Sequence, residues 1–182
     1  MTITDTAQAV RKGEEIDPDA VLSFLKDQDP GLDDSITISQ FPSGFSNLTY
    51  LVEIGGKQMV LRRPPIGAKV KAGHDMGREF RVLSSLYPVF RLCPKPLAYT
   101  EDESIIGAPF FVMEKLSGII LRRDLPDGLS FSPDQAGQLC RTLTDVLVDI
   151  HSIDVKGAGL DFIGKPAGYV RRQVEGWSQR YR

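Results

Sequence analysis

Apolar and polar residues alternate most clearly over residues 48–54, where Leu48, Tyr50, Val52 and Ile54 would share one face of a strand. The pair Gly55-Gly56 follows and is typical of a two-residue hairpin turn. It leads into a second strand-like run from Lys57 to Arg63. The pattern therefore predicts a β-hairpin, preceded by a loop of mostly small residues at positions 43–47.

Three further runs predict strands, at residues 36–38, 96–100 and 110–115, and the last two are joined by a turn at residues 101–103. Helical spacing marks a segment opened by Asp17 and Pro18 as N-cap and first-turn proline. A second helix is predicted by Met76, Phe80, Leu83 and Tyr87. Strands and helices together indicate an α+β fold.

The longest predicted helix begins at a capping box formed by Ser132 and Gln135. Its apolar stripe consists of Leu139, Leu143, Val146, Leu147 and Ile150. A loop over residues 155–167 and a last helical piece over residues 169–182 follow. Residues 1–15 are polar and aperiodic, which favours disorder.

Composition narrows the class of protein. The 182 residues are 41% hydrophobic and 25% charged, which suits one domain or slightly more. A net charge of -2 with scattered Arg pairs gives no footprint for nucleic acid. We expect no signal peptide, no membrane helix and a cytoplasmic location. Cys93 and Cys140 lack CxxC partners, so we expect two buried free thiols and no metal site.

The loop at residues 43–47 is the first candidate for chemistry. Gly44 allows close backbone approach, and the hydroxyls of Ser43 and Ser46 could donate hydrogen bonds to phosphate oxygens. Taken alone, one glycine between serines is more often an ordinary loop. The chain contains neither GxGxxG nor the GxxxxGK[ST] motif of a P-loop.

Five segments, in this order, resemble the aminoglycoside phosphotransferase family: VLRRPP, GREFRVLSSL, EDESIIGAPFFVMEKLSG, LVDIHSIDV and GYVRRQVEGWSQRY. The resemblance is closest to the branch that includes the kinase-like domains attached to some acyl-CoA dehydrogenases. It runs from about Leu32 to Arg182. It implies a protein-kinase-like N-lobe at residues 32–116, made of a five-stranded antiparallel sheet plus a helix. Residues 1–31 would be a tail and helix, and residues 117–182 the start of a helical C-lobe, incomplete here.

The resemblance also implies an ATP site. Arg62 would stand where kinase-like folds normally carry a lysine, held by Glu79 on the next helix. The loop residues Ser43, Gly44, Ser46 and Asn47 would lie over the phosphates. The connector between the lobes, comprising Met113, Glu114, Lys115 and Leu116, would hold the adenine, mainly through its backbone.

The catalytic loop of that family, HGDxxxxN, has no counterpart in the chain, whose single asparagine is Asn47. We therefore expect no catalytic residue within these 182 residues, and we expect the Mg²⁺ ligands beyond residue 182. His151 is interpreted as a structural helix-end residue. The sequence Asp161-Phe162-Ile163-Gly164 resembles a DFG motif with an insertion and is interpreted as a surface loop.

Two hypotheses remain open. In the first, the chain is the ATP-binding portion of a small-molecule kinase that transfers the γ-phosphate to a substrate hydroxyl. In the second, it is a truncated, non-catalytic fragment that binds nucleotide or a partner. In either case the apolar stripe of the longest helix lacks the rest of a C-lobe, so we expect part of it to be exposed. The chain would then self-associate or behave as a loosely packed monomer.

Overall fold

The computed structural model describes residues 6–42, 47–65, 67, 74–121, 124–165 and 167–181. Its elements, in chain order, are α1 Pro18–Gln28, β1 Ile36–Gln40, β2 Leu48–Ile54, β3 Lys57–Arg63, α2 Met76–Leu86, β4 Pro96–Thr100, β5 Phe110–Glu114, α3 Pro133–His151, a 3₁₀ turn Asp161–Ile163, and α4 Tyr169–Arg180. The α+β class predicted from the alternation and helical patterns is confirmed. The caps predicted at Asp17 and Ser132 are also present.

The five strands form one antiparallel sheet in the order β1-β2-β3-β5-β4. The hairpin between β2 and β3 turns at Gly55 and Gly56, whose φ angles are +54° and +80°. Such positive angles suit a two-residue turn whose twist matches the strands, and glycine adopts them without a Cβ clash. At Gly55 a Cβ would also lie 2.7 Å from the Cβ of Asp33.

The two faces of the sheet have different tasks. Leu48, Tyr50, Val52 and Ile54 all point into the hydrophobic core, as their alternation predicts. The core is completed on this face by α1, through residues such as Val21. The opposite face carries the positions between them, and here α2 packs on β4 and β5. The Phe80 ring of α2 stacks on Tyr99 at 5.4 Å and lies 6.3 Å from Phe111.

The segment ahead of α1 corrects the prediction of disorder for residues 1–15, as far as that segment is described. Gln8 and Gln40 exchange two backbone hydrogen bonds of 2.8 Å, so this segment pairs with the end of the edge strand β1. The Tyr50 hydroxyl donates to the carbonyl of Glu14 at 2.7 Å, and the Gln40 side chain donates to the Glu14 carboxylate at 2.5 Å. That bond holds the pKa of Glu14 below its ordinary value. Because the contacts of this segment are polar, they leave no apolar periodicity in the sequence. The hydrophobic pattern therefore did not predict an ordered segment here.

The part of the chain after residue 116 makes few contacts with the sheet domain. No residue of α3, all of which the structure describes, is buried. Its Cys140 is exposed, so the prediction of two buried thiols is wrong for this one and correct for Cys93. The segment after α3 does reach α2, where Leu160 is buried. Among the described residues, no helix combines the length and apolar character needed to cross a bilayer.

Candidate functional site

A cavity of about 660 Å³ opens between the sheet and the connector that follows β5. Thr49, Val60 and Met113 line it from three adjacent strands. The register explains this set, because Val60 faces Met113 across β3 and β5, while Thr49 faces Arg62 across β2 and β3. All four positions lie on the sheet face opposite the core. The other walls are Phe41, Pro94 and residues 114–120.

Arg62 and Glu79 line a second cavity, which lies beside the first and shares Pro94 and Met113 with it. The Arg62 Nη2 atom lies 3.4 Å from Glu79 Oε2, and both side chains are about one-third exposed, at 32% and 33%. A pair at that exposure contributes only about 0–1 kcal/mol to stability. The Nε atom of Arg62 is buried and has no hydrogen-bond partner among the described residues. Burial removes water from the Nε atom at a free-energy cost, and the ion pair adds little stability to offset it. Such an arrangement is typical of a group kept for binding.

Arg63, next in sequence, has a different role. Its side chain lies on the core face and is 4% exposed. The Nη1 group donates to the carbonyl of Ile106 at 2.9 Å, and Nε donates to that of Pro64 at 3.3 Å. Because successive strand residues point to opposite faces, only Arg62 is directed toward α2.

Asn47, directly before β2, contacts the ion pair of Arg62 and Glu79. It is buried, and its side-chain amino group donates to Glu79 Oε1 at 2.9 Å. Its carbonyl oxygen lies 2.8 Å from His74 Nδ1. Asn47 was among the predicted site residues, whereas His74 was not; it directly precedes Asp75, the N-cap of α2. No sequence signal connects His74 with Asn47, which is 27 residues away.

The backbone predicted to contact the adenine edge begins at Glu114, the last residue of β5. The backbone N–H of Glu114 donates to the carbonyl of Lys95 at 2.8 Å and is therefore engaged within the sheet domain. The Lys115 side chain reaches Gln58 Oε1 at 2.9 Å. The amides that remain candidates are those of Lys115 and Leu116. The predicted loop residues Ser43, Gly44 and Ser46 lie outside the described residues.

The structure also describes the two motifs that were interpreted as non-catalytic, at His151 and at residues 161–164. His151 is the last residue of α3, as expected. The Asp161–Ile163 turn packs against α2, where Arg78 Nη2 donates to the Ile163 carbonyl at 2.9 Å and the Arg81 guanidinium lies 4.9 Å from the Phe162 ring centre. Within the described ranges, no three His, Cys, Asp or Glu side chains are grouped so as to hold a metal ion.

A five-stranded antiparallel sheet, with a cation on its third strand paired to a carboxylate on the following helix, defines a kinase-like N-lobe. The chain belongs to the phosphotransferase enzyme family, whose family model matches residues 37–182. The resemblance inferred from the five sequence segments is thereby confirmed, and the acyl-CoA dehydrogenase relatives described next confirm its branch.

The chain spans about a quarter or less of the length of the curated relatives it matches. It is 34% identical to acyl-CoA dehydrogenase family member 11 of Rattus norvegicus, over all of this chain and 24% of that protein. It is 36% identical to acyl-CoA dehydrogenase family member 10 of Mus musculus, over 95% of this chain and 16% of that protein. A solved structure from Ralstonia eutropha, assigned to the aminoglycoside phosphotransferases, has a TM-score of 0.74 at 30% identity and covers 92% of this chain and 47% of its own.

Proposed function

We propose that this chain is the ATP-binding portion of a small-molecule kinase that transfers the γ-phosphate of ATP to a substrate hydroxyl. One observation carries the proposal: Arg62, held by Glu79, lies beside the cavity of about 660 Å³. The Nε donor of Arg62 is buried and has no partner among the described residues. The phosphotransferase family membership supports the reaction class.

The adenine would occupy the cavity between the sheet and the connector. Its volume falls within the range of about 300–1,000 Å³ that is common for small-molecule sites. Val60 and Met113 offer apolar walls for a flat ring, and the backbone amides of Lys115 and Leu116 could donate to its edge. Because backbone amides would make these contacts, the proposed recognition places little constraint on the side chains of Lys115 and Leu116.

The triphosphate would extend from the adenine toward Arg62. A guanidinium presents several donors in a planar fork, which suits two phosphate oxygens at once, whereas a lysine offers one point charge. Glu79 would hold that fork in place without occupying all of it. The loop residues Ser43, Gly44 and Ser46 would cover the phosphates, while the Asn47 amide at the end of the loop is engaged by Glu79 and His74.

The same proposal assigns no catalytic residue to this chain. Transfer to a hydroxyl needs a group that accepts its proton, and in related chemistry Mg²⁺ neutralises the phosphates. We attribute neither role to the described residues.

In the second candidate function, the chain is a non-catalytic fragment that binds nucleotide or a partner. The exposed apolar stripe on α3 favours it, since Leu143 is 61% and Leu147 47% exposed. Both candidates predict that these 182 residues alone do not turn over ATP. Acceptor-dependent release of ADP by these 182 residues alone would contradict both our expectation of no turnover and the second candidate.

Calorimetric titration tests the binding proposal. We expect the chain to bind both adenosine and a non-hydrolysable ATP analogue. Arg62→Ala should weaken the analogue by about 1–3 kcal/mol, the usual range for hydrogen bonds to charged groups, and leave adenosine binding unchanged. Arg180→Ala, an arginine on α4, is the matched control and should change neither. Absence of binding by the parent chain would contradict the proposal.

A further inference from the structure

The Asn47 amide links three parts of the site that are distant in sequence. It directly precedes β2, it donates to Glu79 on α2, and it meets His74 in the segment ahead of α2. Glu79 in turn holds Arg62 on β3. We propose that Asn47 is a positioning residue, which fixes the Glu79 carboxylate so that one oxygen remains directed at Arg62. This inference rests on the proposed function for its consequence in nucleotide binding.

The hydrogen-bond chemistry determines the direction of the chain. A carboxylate only accepts hydrogen bonds, so the NH₂ group of Asn47 must be the one that faces Glu79 Oε1 at 2.9 Å. Its carbonyl oxygen then faces His74 Nδ1 at 2.8 Å and can only accept. It follows that His74 carries a proton on Nδ1, whatever the state of Nε2.

The burial of Asn47 shows that these bonds are needed. The residue is only 5% exposed, and a buried amide is costly unless its polar atoms are paired. Both ends of the amide are paired here, whereas the Glu79 side chain is about one-third exposed to solvent. Asn47 is therefore the fixed member and Glu79 the member that it holds.

The division of the carboxylate explains the effect on Arg62. Asn47 occupies Oε1 and leaves Oε2 for the guanidinium, 3.4 Å away. Without Asn47, both oxygens become available, and the carboxylate can turn to solvent or take up more of the donors of Arg62. Either change misdirects the cation that the proposed site offers to phosphate. The adenine cavity, whose lining does not include Asn47, should be unaffected.

The first test uses the 182-residue chain, labelled with ¹⁵N, without nucleotide. The Arg62 Nε–H signal is assigned by its loss in Arg62→Lys, and long-range ¹H–¹⁵N spectra report the His74 tautomer. We expect Asn47→Ala, like Glu79→Ala, to move the Arg62 signal. Asn47→Asp, which keeps the size and the acceptor for His74, should move the Arg62 signal and retain the Nδ1-protonated tautomer. An Arg62 signal that moves in Glu79→Ala but in neither Asn47 variant would overturn the inference.

The second test measures affinity by calorimetric titration. Asn47→Ala should bind the ATP analogue about tenfold more weakly, as expected for loss of one hydrogen bond to a charged group, with adenosine unchanged. In a Glu79→Ala background the same substitution should add no further loss, since Asn47 acts through Glu79. Additive losses, or an equal loss for adenosine, would overturn the inference. If the parent chain binds no nucleotide, the proposed function fails, and the spectra still decide the role of Asn47.

Discussion

The exposed stripe on α3 leads to a quantitative prediction from two matched leucine truncations. Leu61 in β3 is fully buried, and truncating such a leucine to alanine typically costs about 2–5 kcal/mol. Leu143 on α3 is 61% exposed. Since burying a whole leucine stabilises by about 1.5–3 kcal/mol, covering less than half of it should contribute about 1 kcal/mol or less. Alanine and leucine are both strong helix formers, so helix propensity does not offset the difference.

Urea unfolding followed by circular dichroism measures both variants, and sedimentation velocity measures association. We expect Leu61→Ala to be clearly less stable than the parent and Leu143→Ala to unfold nearly as the parent does. We also expect the parent to self-associate through this stripe, and Leu143→Ala to associate less. Equal destabilisation by the two truncations, or strong hydrogen-exchange protection across residues 138–150 in a dilute monomeric sample, would show that α3 already has a packing partner and would refute the reasoning.

Two further predictions concern the sheet. Gly55→Ala should cost more stability than Gly56→Ala, because both place a side chain at positive φ, at about 1–2 kcal/mol, but only the first brings Cβ to 2.7 Å from Asp33; equal melting temperatures would contradict this. Burial raises the pKa of Tyr50 from 10.0 to about 12, so the stability it contributes is fully present below pH 10 and is lost as pH rises toward 12. Tyr50→Phe should flatten that decline in urea midpoints, and an unchanged slope would count against it.

Local signals predicted most of the fold. The period-two pattern of β2 places Leu48 and Ile54 on the core face, and the structure has both there. The Asp17 cap and the capping box at Ser132 fix where α1 and α3 begin, because each satisfies amide groups within a few residues. Signals of this kind depend on chain neighbours alone, so they survive whatever the distant packing does.

The rest depended on pairings between distant residues. The hydrophobic pattern does not distinguish the role of Arg62 from that of Arg63. The strand register does, because it directs Arg62 toward α2 and Arg63 into the core. The contact between Asn47 and Glu79 spans 32 residues, and no periodicity encodes it. Cys140 was expected to be a buried free thiol because it has no CxxC partner, yet the described part of the chain does not cover its helix.

Hydrogen exchange with and without a non-hydrolysable ATP analogue tests the central claim, nucleotide binding in the cleft between the sheet and the connector, most directly. We predict slower exchange on binding for the amides of Lys115 and Leu116 and for the hairpin residues around Thr49 and Val60, which line the cavity. Exchange in α3 should not change. Saturating analogue that leaves the connector unprotected, or that protects only residues outside the cavity, would contradict the account.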